Sequence, residues 1–194
     1  MGTLKTTNIQ SISGSGTVTL GTSGETFTVP SGVTVNMSSA TQTGVGGANT
    51  PAFSAYLSAD QTGIVDSTWT KVAMNTEFYD TDSAYNTSTY RFTVPTGQAG
   101  KYCFLASMYI EGSNTVEDAS VGFYKNGTKV FYKENAVDNK IDAQIYATID
   151  LAAADYVELY IYMNIASGGT GIINQNGTTT NNRVYWYGYK LIGV

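Results

Sequence analysis

The 194-residue chain has no histidine, one cysteine, three prolines and few charges: Asp, Glu, Lys and Arg together make 13%. An ordinary soluble domain carries about 25%. Each shortage removes a class of chemistry. Without histidine there is no Ser-His-Asp or Cys-His arrangement for nucleophilic catalysis, and no imidazole for a zinc site. A lone cysteine, Cys103, forms no internal disulfide and no thiolate metal cage. Ten basic residues against fifteen acidic ones, a net charge of −5, do not supply the clustered cations that displace counterions from nucleic acid. No apolar run nears the roughly 18 residues of a membrane span. Nothing apolar follows the opening Met1-Gly2-Thr3-Leu4-Lys5, so no secretion signal is expected there. The expectation is a protein that is not an enzyme, has no catalytic residue, and engages neither nucleic acid nor membrane.

What is present is unevenly spread. Glycine supplies 21 residues and tyrosine 15. Residues 1–52 hold two charges, Lys5 and Glu25, among Thr, Ser, Gly and Asn. Apart from these and Phe27, the charges and aromatics lie after Ala52. Between them, Gln42-Thr43-Gly44-Val45-Gly46-Gly47-Ala48-Asn49-Thr50-Pro51 reads as a flexible link. The chain therefore divides into a β-rich N-terminal segment, 1–41, a Gly-rich linker, 42–51, and a domain, 52–194.

Val, Ile, Thr, Tyr and Phe gather in short runs bounded by Gly, Asn, Asp and Pro, which predicts strands. They fall at residues 17–20, 26–29 and 33–37 in the first segment. In the domain they fall at 53–57, 68–74, 90–94, 101–110, 119–125, 128–134, 141–151, 156–164 and 183–192. Asn126-Gly127 tolerates positive φ at both positions and is the strongest hairpin signal. Ala152-Ala153-Ala154 makes a helical turn at most. The spacing predicts an antiparallel sandwich and not alternating βα units. One repeat is visible: Phe27-Thr28-Val29-Pro30-Ser31-Gly32 returns as Phe92-Thr93-Val94-Pro95-Thr96-Gly97. Two similar strand exits are the plain reading, since Pro ends a strand and Gly permits the turn; a duplicated unit is the sharper one.

Several strands are apolar on both faces. In 156–163, Tyr156, Glu158, Tyr160 and Tyr162 oppose Val157, Leu159, Ile161 and Met163. Near the end, Tyr185, Tyr187, Tyr189 and Leu191 oppose Val184, Trp186, Gly188 and Ile192. Strand 101–110 alternates Tyr102, Phe104, Ala106 and Met108 with Cys103, Leu105, Ser107 and Tyr109. One face fills the core of a sandwich. The other needs a cover, and aromatic stripes of this size predict self-association; broad aromatic faces with wet hydroxyls are the alternative.

Tyr90-Arg91-Phe92-Thr93-Val94-Pro95-Thr96-Gly97-Gln98-Ala99-Gly100-Lys101-Tyr102-Cys103-Phe104 resembles the signature of the complement C1q and tumour-necrosis-factor jelly rolls. Phe78 and Tyr85 lie upstream, near that family's Asn–Tyr loop. Lys125-Asn126-Gly127 resembles its Asn-Gly hairpin, and Asp155-Tyr156-Val157-Glu158-Leu159 its Gly-Asp-x-Val-x-Leu strand. Residues 185–191 resemble its closing aromatic strand. Ala154 departs from the pattern, where the family has Gly. Over roughly 52–194 the resemblance implies an all-β fold, an antiparallel jelly-roll β-sandwich of about ten strands preceded by the β-rich extension. It also implies a homotrimer packed around an aromatic axis; which Tyr stripe faces that axis stays open. Leu4-Lys5-Thr6-Thr7-Asn8-Ile9-Gln10, Ser13-Gly14-Ser15-Gly16 and 26–35 resemble the openings of tailed-phage virion structural proteins. That resemblance implies a segment fixed to the particle, to capsid or tail proteins, and a knob at the virion surface. A disordered tail is the alternative for the same residues.

Site candidates are few. Asp80-Thr81-Asp82-Ser83-Ala84-Tyr85-Asn86 puts two carboxylates and an amide in one loop, which suits Ca²⁺. It lacks the glycine and the terminal Glu of an EF-hand, so a solvated turn with Asx hydrogen bonds is the plainer reading. Glu117-Asp118 and the acids of 138–142 read as surface. No metal is assigned, and no cofactor is expected. Cys103 is expected in the core as a small apolar residue. Asn36, Asn86, Asn126 and Asn176 fit the glycosylation pattern and read as turns. Gly168-Gly169-Thr170-Gly171 precedes no helix, so it is no phosphate cradle; 168–182 reads as an exposed loop where recognition would sit. Three functions follow. One is a trimeric virion knob or capsid-decoration protein. Another is a receptor- or glycan-binding module for host attachment that uses exposed Tyr, Trp69 and the 168–182 loop. The third, a glycan hydrolase, is disfavoured because no two carboxylates can be argued to face a glycosidic bond.

Overall fold

The computed structural model describes residues 25–35, 49–135, 140–175 and 182–192. The chain divides into two units, Met1–Thr43 and Gly44–Val194. Among the described residues of the second, the regular elements are strands apart from one short 3-10 turn, Ala166–Gly168. Its strands are β1 Ala52–Tyr56, β2 Gln61–Val65, β3 Thr70–Lys71, β4 Thr76–Asp80, β5 Tyr85–Asn86, β6 Arg91–Thr93 and β7 Gly100–Gly112. They continue with β8 Val116–Lys125, β9 Thr128–Asn135, β10 Lys140–Leu151, β11 Tyr156–Ile165, β12 Thr170–Ile173 and β13 Tyr185–Lys190.

Two antiparallel sheets result. The first runs β2-β12-β7-β13-β1-β4, with β10 on the other edge of β7. The second runs β5-β6-β11-β8-β9, with β3 also on β11. The long strands β7, β10, β8 and β11 coincide with the predicted runs, and the alternation is cleanest in β10. In β10, for instance, Ile141, Ala143, Ile145, Ala147, Ile149 and Leu151 point inward. At the β8–β9 hairpin Asn126 has φ 50° and Gly127 φ 78°, the paired positive values that Asn-Gly was expected to provide.

The inner faces meet in an aromatic core. Phe53 stacks on Tyr85 at 4.8 Å and on Phe92 at 5.2 Å, and meets Trp186 edge-on at 4.9 Å. The Tyr85 hydroxyl donates to the Met74 carbonyl at 2.8 Å, as a buried tyrosine needs. Burial pushes that hydroxyl's pKa well above the ordinary phenol range. Gly188 lies under Phe104, whose ring occupies the space a Cβ would take.

Several expectations are corrected. Strand 68–74 contracts to β3, and β2, β4, β5 and β12 arise where no strand was predicted. β12 converts part of the supposed 168–182 loop into sheet. Gly171, Ile172 and Ile173 pair with Gly112, Glu111 and Ile110 at the far end of β7. Such pairing is non-local and leaves little trace in a four-residue window. At Ala152-Ala153-Ala154, where a helical turn at most was expected, the chain makes a turn with Ala154 at φ 68°.

In the first unit, the described residues 25–35 contain no strand, against the expectation for 26–29 and for 33–35 of the run 33–37, whose last two residues lie outside the described ones, and all are exposed. Phe27 is 68% exposed. Among the described residues this alternation has no partner strand to bury against, and an unpaired strand is not stable. The predicted strand 17–20 lies outside the described residues.

Candidate functional site

Strand parity sorts the tyrosines onto two different outer faces. On β11, Val157, Leu159, Ile161 and Met163 fill the core while Tyr156, Tyr160 and Tyr162 point out from the second sheet. On β13, Trp186 and Gly188 point in while Tyr185, Tyr187 and Tyr189 point out from the first sheet.

The outer face of the first sheet carries a row of tyrosines with one leucine. Tyr79 lies opposite Ser54, Ser54 opposite Tyr187, Tyr187 opposite Leu105, and Leu105 opposite Tyr146. That row crosses β4, β1, β13, β7 and β10. Tyr146 is 77% exposed. Beside the row, Tyr185 stacks on Tyr187 at 6.2 Å and Phe78 stacks on Tyr56 at 4.4 Å. Partial burial raises the pKa of the Tyr187 hydroxyl, and Tyr185, Cys103 and Tyr79 add to the rise. These groups share one face although they come from distant parts of the chain. Cys103 belongs to this face, half-buried and paired with Tyr189, and not to the core. The reason is parity, because Tyr102 and Phe104 on either side both point inward. Tyr79 and Tyr146 escaped sequence reading, since no strand was predicted at β4 and Tyr146 is the one aromatic of β10.

The outer face of the second sheet is largely covered by the chain itself. Glu158, only 3% exposed, receives Lys71 Nζ at 2.6 Å and Arg91 Nη2 at 2.8 Å. Burial alone would raise its pKa, but the hydrogen bonds from Lys71 and Arg91 outweigh that and hold it below the usual range. Arg91 also lies over the Tyr156 ring at 3.7 Å. Trp69 reaches across the sheet to Tyr162 at 5.6 Å and Tyr124 at 5.9 Å. The missing side chain of Gly122 lets the indole lie down: a Cβ there would be 3.1 Å from Trp69 Cζ3.

Beside Trp69 the cover is incomplete and leaves a hollow of about 210 Å³. Tyr162, Ser120 and Glu134 form one cross-strand row of it on β11, β8 and β9. Trp69, Tyr132 and Lys129 make its wall, and Asp118 its far side. Trp69 was singled out in the sequence; Lys129, Tyr132 and Glu134 were not, because β9 is exposed throughout and shows no alternation of burial.

The other candidates resolve as follows. Asp80 ends β4 and accepts the amides of Ala84 at 3.1 Å and Tyr85 at 3.0 Å, which is a turn-bracing role; Asp82 takes no part in it. Asp142 pairs with Arg183 at 2.8 Å, and Glu117 accepts from Asn164 at 3.3 Å. Asp138 lies outside the described residues, as do Asn36 and Asn176. Asn86 accepts the Ser88 and Thr89 amides, and Asn126 accepts the Tyr156 amide. Among the described residues no three His, Cys, Asp or Glu side chains gather as metal ligands, and no helix is long and apolar enough to cross a membrane.

Two sheets in this order, with the aromatic closing strand inside the first, define the jelly roll of the C1q and tumour-necrosis-factor type. Murine APRIL has the same fold, with a TM-score of 0.51 at 10% identity over 72% of this chain and 98% of that one. The globular domain of zebrafish complement 1qA protein (TM-score 0.47, 15% identity, 73% and 97% covered) and Eiger TNF of S. frugiperda (0.49, 12%, 72% and 91%) are also similar. No family model matches the sequence. Among curated proteins, the phage-like element PBSX protein XkdV of Bacillus subtilis (strain 168) is 28% identical over 135 residues. That match takes in 63% of this chain and 18% of XkdV, so the chain spans under a fifth of its relative's length. A phage-element relative and this fold are together consistent with a phage structural or receptor-binding protein.

Proposed function

We propose that the chain is a non-enzymatic virion structural protein of a tailed bacteriophage. It acts as a homotrimeric capsid-decoration or fibre knob at the virion surface, held to capsid or tail proteins by residues 1–41 through the 42–51 linker. The observation that carries this reading is the outward row Tyr79, Ser54, Tyr187, Leu105 and Tyr146 on the first sheet. The second sheet covers its own tyrosines with Trp69, Lys71 and Arg91, whereas this row has no cover among the described residues. A second copy of the same face, repeated about a threefold axis, buries it. The phage-element relative supports the virion setting.

Sedimentation tests the assembly. At micromolar concentration the full chain is expected at three times the monomer mass, and Leu105→Arg or Tyr187→Glu is expected to sediment as folded monomer. A monomeric wild type refutes the trimer. Anchoring is tested separately by particle incorporation: deletion of 1–41 should leave the knob folded and absent from purified virions. Host attachment is the second reading, favoured by the hollow at Trp69. It lies on the sheet facing away from the proposed axis, so both roles are compatible.

A further inference from the structure

We infer that residues 26–35 of three copies of the chain pack against one another, forming a threefold neck whose core is Phe27, Val29, Val33 and Val35 of each copy. The first observation is a pair of like sequences with opposite burial. Phe92-Thr93-Val94-Pro95-Thr96-Gly97 and Phe27-Thr28-Val29-Pro30-Ser31-Gly32 make the same turn, with Gly97 at φ 77° and Gly32 at φ 84°. In the former, Phe92 and Val94 are buried, and β6 lies between β5 and β11. In the latter, Phe27 is 68% and Val29 37% exposed, and beyond the turn Val33 and Val35 are 58% and 52% exposed. Large apolar side chains gathered on so short an exposed stretch mark a contact surface.

The arm does not bury these side chains by folding on itself. Val33 N donates to Pro30 O at 3.3 Å across the turn. Continued as a hairpin, that pairing sets Val29 opposite Thr34 and Thr28 opposite Val35. Residues directly opposite one another share a face, so both faces of such a hairpin mix valine with threonine. Neither half is a strand within 25–35. The neighbour has to come from another chain.

Symmetry and charge select identical copies as that neighbour. Around a threefold axis equivalent residues stand at one height, so a residue that approaches the axis meets its own copies. A charged residue there would oppose its like and repel it. No Asp, Glu, Lys or Arg occurs between Glu25 and Asp60, so nothing in the arm opposes this contact, and a charged partner finds nothing to pair with. With Phe27, Val29, Val33 and Val35 toward the axis, Thr26, Thr28 and Thr34 face water, the alternation of strands with one wet side. The tether agrees. The chain enters the second unit at β1, which carries Ser54 of the proposed contact row. The sixteen residues 36–51 reach at most about 55 Å, which holds the three arms of one trimer at an effective concentration of roughly millimolar order. The inference rests on the homotrimer reading and leaves residues 1–25 to hold the particle.

Two measurements on the full chain test it, each on samples whose mass is read by sedimentation. In a Cys103→Ser background, Val29→Cys and Thr28→Cys are compared for disulfide formation in glutathione disulfide. Bridging needs close Cα atoms, so Val29→Cys is expected to give a two-chain band about tenfold faster than Thr28→Cys. The other measurement needs no cysteine change. Thermolysin, which cleaves before large apolar residues, is expected to cut before Phe27, Val29, Val33 and Val35 of the wild-type trimer about tenfold slower than in a synthetic peptide of residues 25–36. A trimer in which residue 29 pairs no faster than residue 28 overturns the neck and leaves the homotrimer standing. Cleavage of the trimer as fast as the peptide does the same, and shows an arm left open for another virion protein. A monomeric wild type overturns both.

Discussion

Ala154 has φ 68° in the turn before Asp155, a left-handed backbone that crowds a Cβ against the following carbonyl. The sequence shows alanine where the resembled family has glycine, and the backbone supplies the reason for the family's choice. Ala154→Gly should therefore stabilise the fold, by about 0.5–1 kcal/mol after glycine's greater unfolded-state entropy is subtracted; chemical denaturation would show a higher midpoint at constant slope. Gly188 is the converse. Its φ is unremarkable, and what excludes a side chain there is the Phe104 ring. Gly188→Ala is expected to cost about 1–3 kcal/mol by overpacking, and an unchanged denaturation midpoint would show the ring free to move aside. In the sequence Gly188 is an ordinary gap in an aromatic run.

At the scale of elements, turns were more legible than strands. The two Pro-x-Gly segments form the same turn, with Gly32 at φ 84° and Gly97 at φ 77°, and with Val33 N to Pro30 O at 3.3 Å matching Gln98 N to Pro95 O at 3.1 Å. Yet only the second leaves a strand, β6, because β6 pairs with β11 and β5. A turn is set by local φ preferences, whereas a strand needs a neighbour. β2, β4 and β12 make the same point, being short segments held by distant partners. Turns can also be locked together. The Asp155 carboxylate accepts Asn126 Nδ2 at 2.7 Å, the Ala152 amide at 2.8 Å and Lys125 Nζ at 2.9 Å, tying the β8–β9 hairpin to the β10–β11 turn. Those hydrogen bonds, Asn126 first and then Lys125, lower its pKa to about 2 from 3.8. A depressed folded-state pKa contributes stability that is complete above the unfolded value and is lost as pH falls through the folded one. Wild-type melting temperature should drop across pH 4 to 2 more steeply than that of Asp155→Asn, which should be less stable at pH 7. Parallel curves for the two proteins would count against the lock.

For the whole molecule, the difference between the two outer faces is decisive. One covers its tyrosines with Trp69, Lys71 and Arg91 and leaves a hollow beside Trp69; on the other, no described residue covers the row of Tyr79, Tyr187, Leu105 and Tyr146. If copies of the chain cover that surface, apparent stability is linked to concentration by mass action. The melting temperature of the wild type should rise with protein concentration, and that of Tyr187→Glu should not. A concentration-independent wild-type melt would leave the first sheet exposed in solution.

The residues alone determined the all-β class, the long central strands, the Asn-Gly hairpin and the absence of histidine-based or thiolate-cage chemistry. All of these follow from side-chain type and from a period of two along the chain. They also showed that some strands carry apolar residues on both faces. Which of those faces is already covered is a matter of contacts between segments far apart in sequence. Trp69 lies over Gly122 and Lys71 meets Glu158 across 87 residues, while Tyr79 and Tyr146 join one row from β4 and β10. The hollow, the open aromatic face and the place of Cys103 were therefore decided only by the tertiary structure, because burial belongs to packed pairs of elements and not to any one stretch of chain.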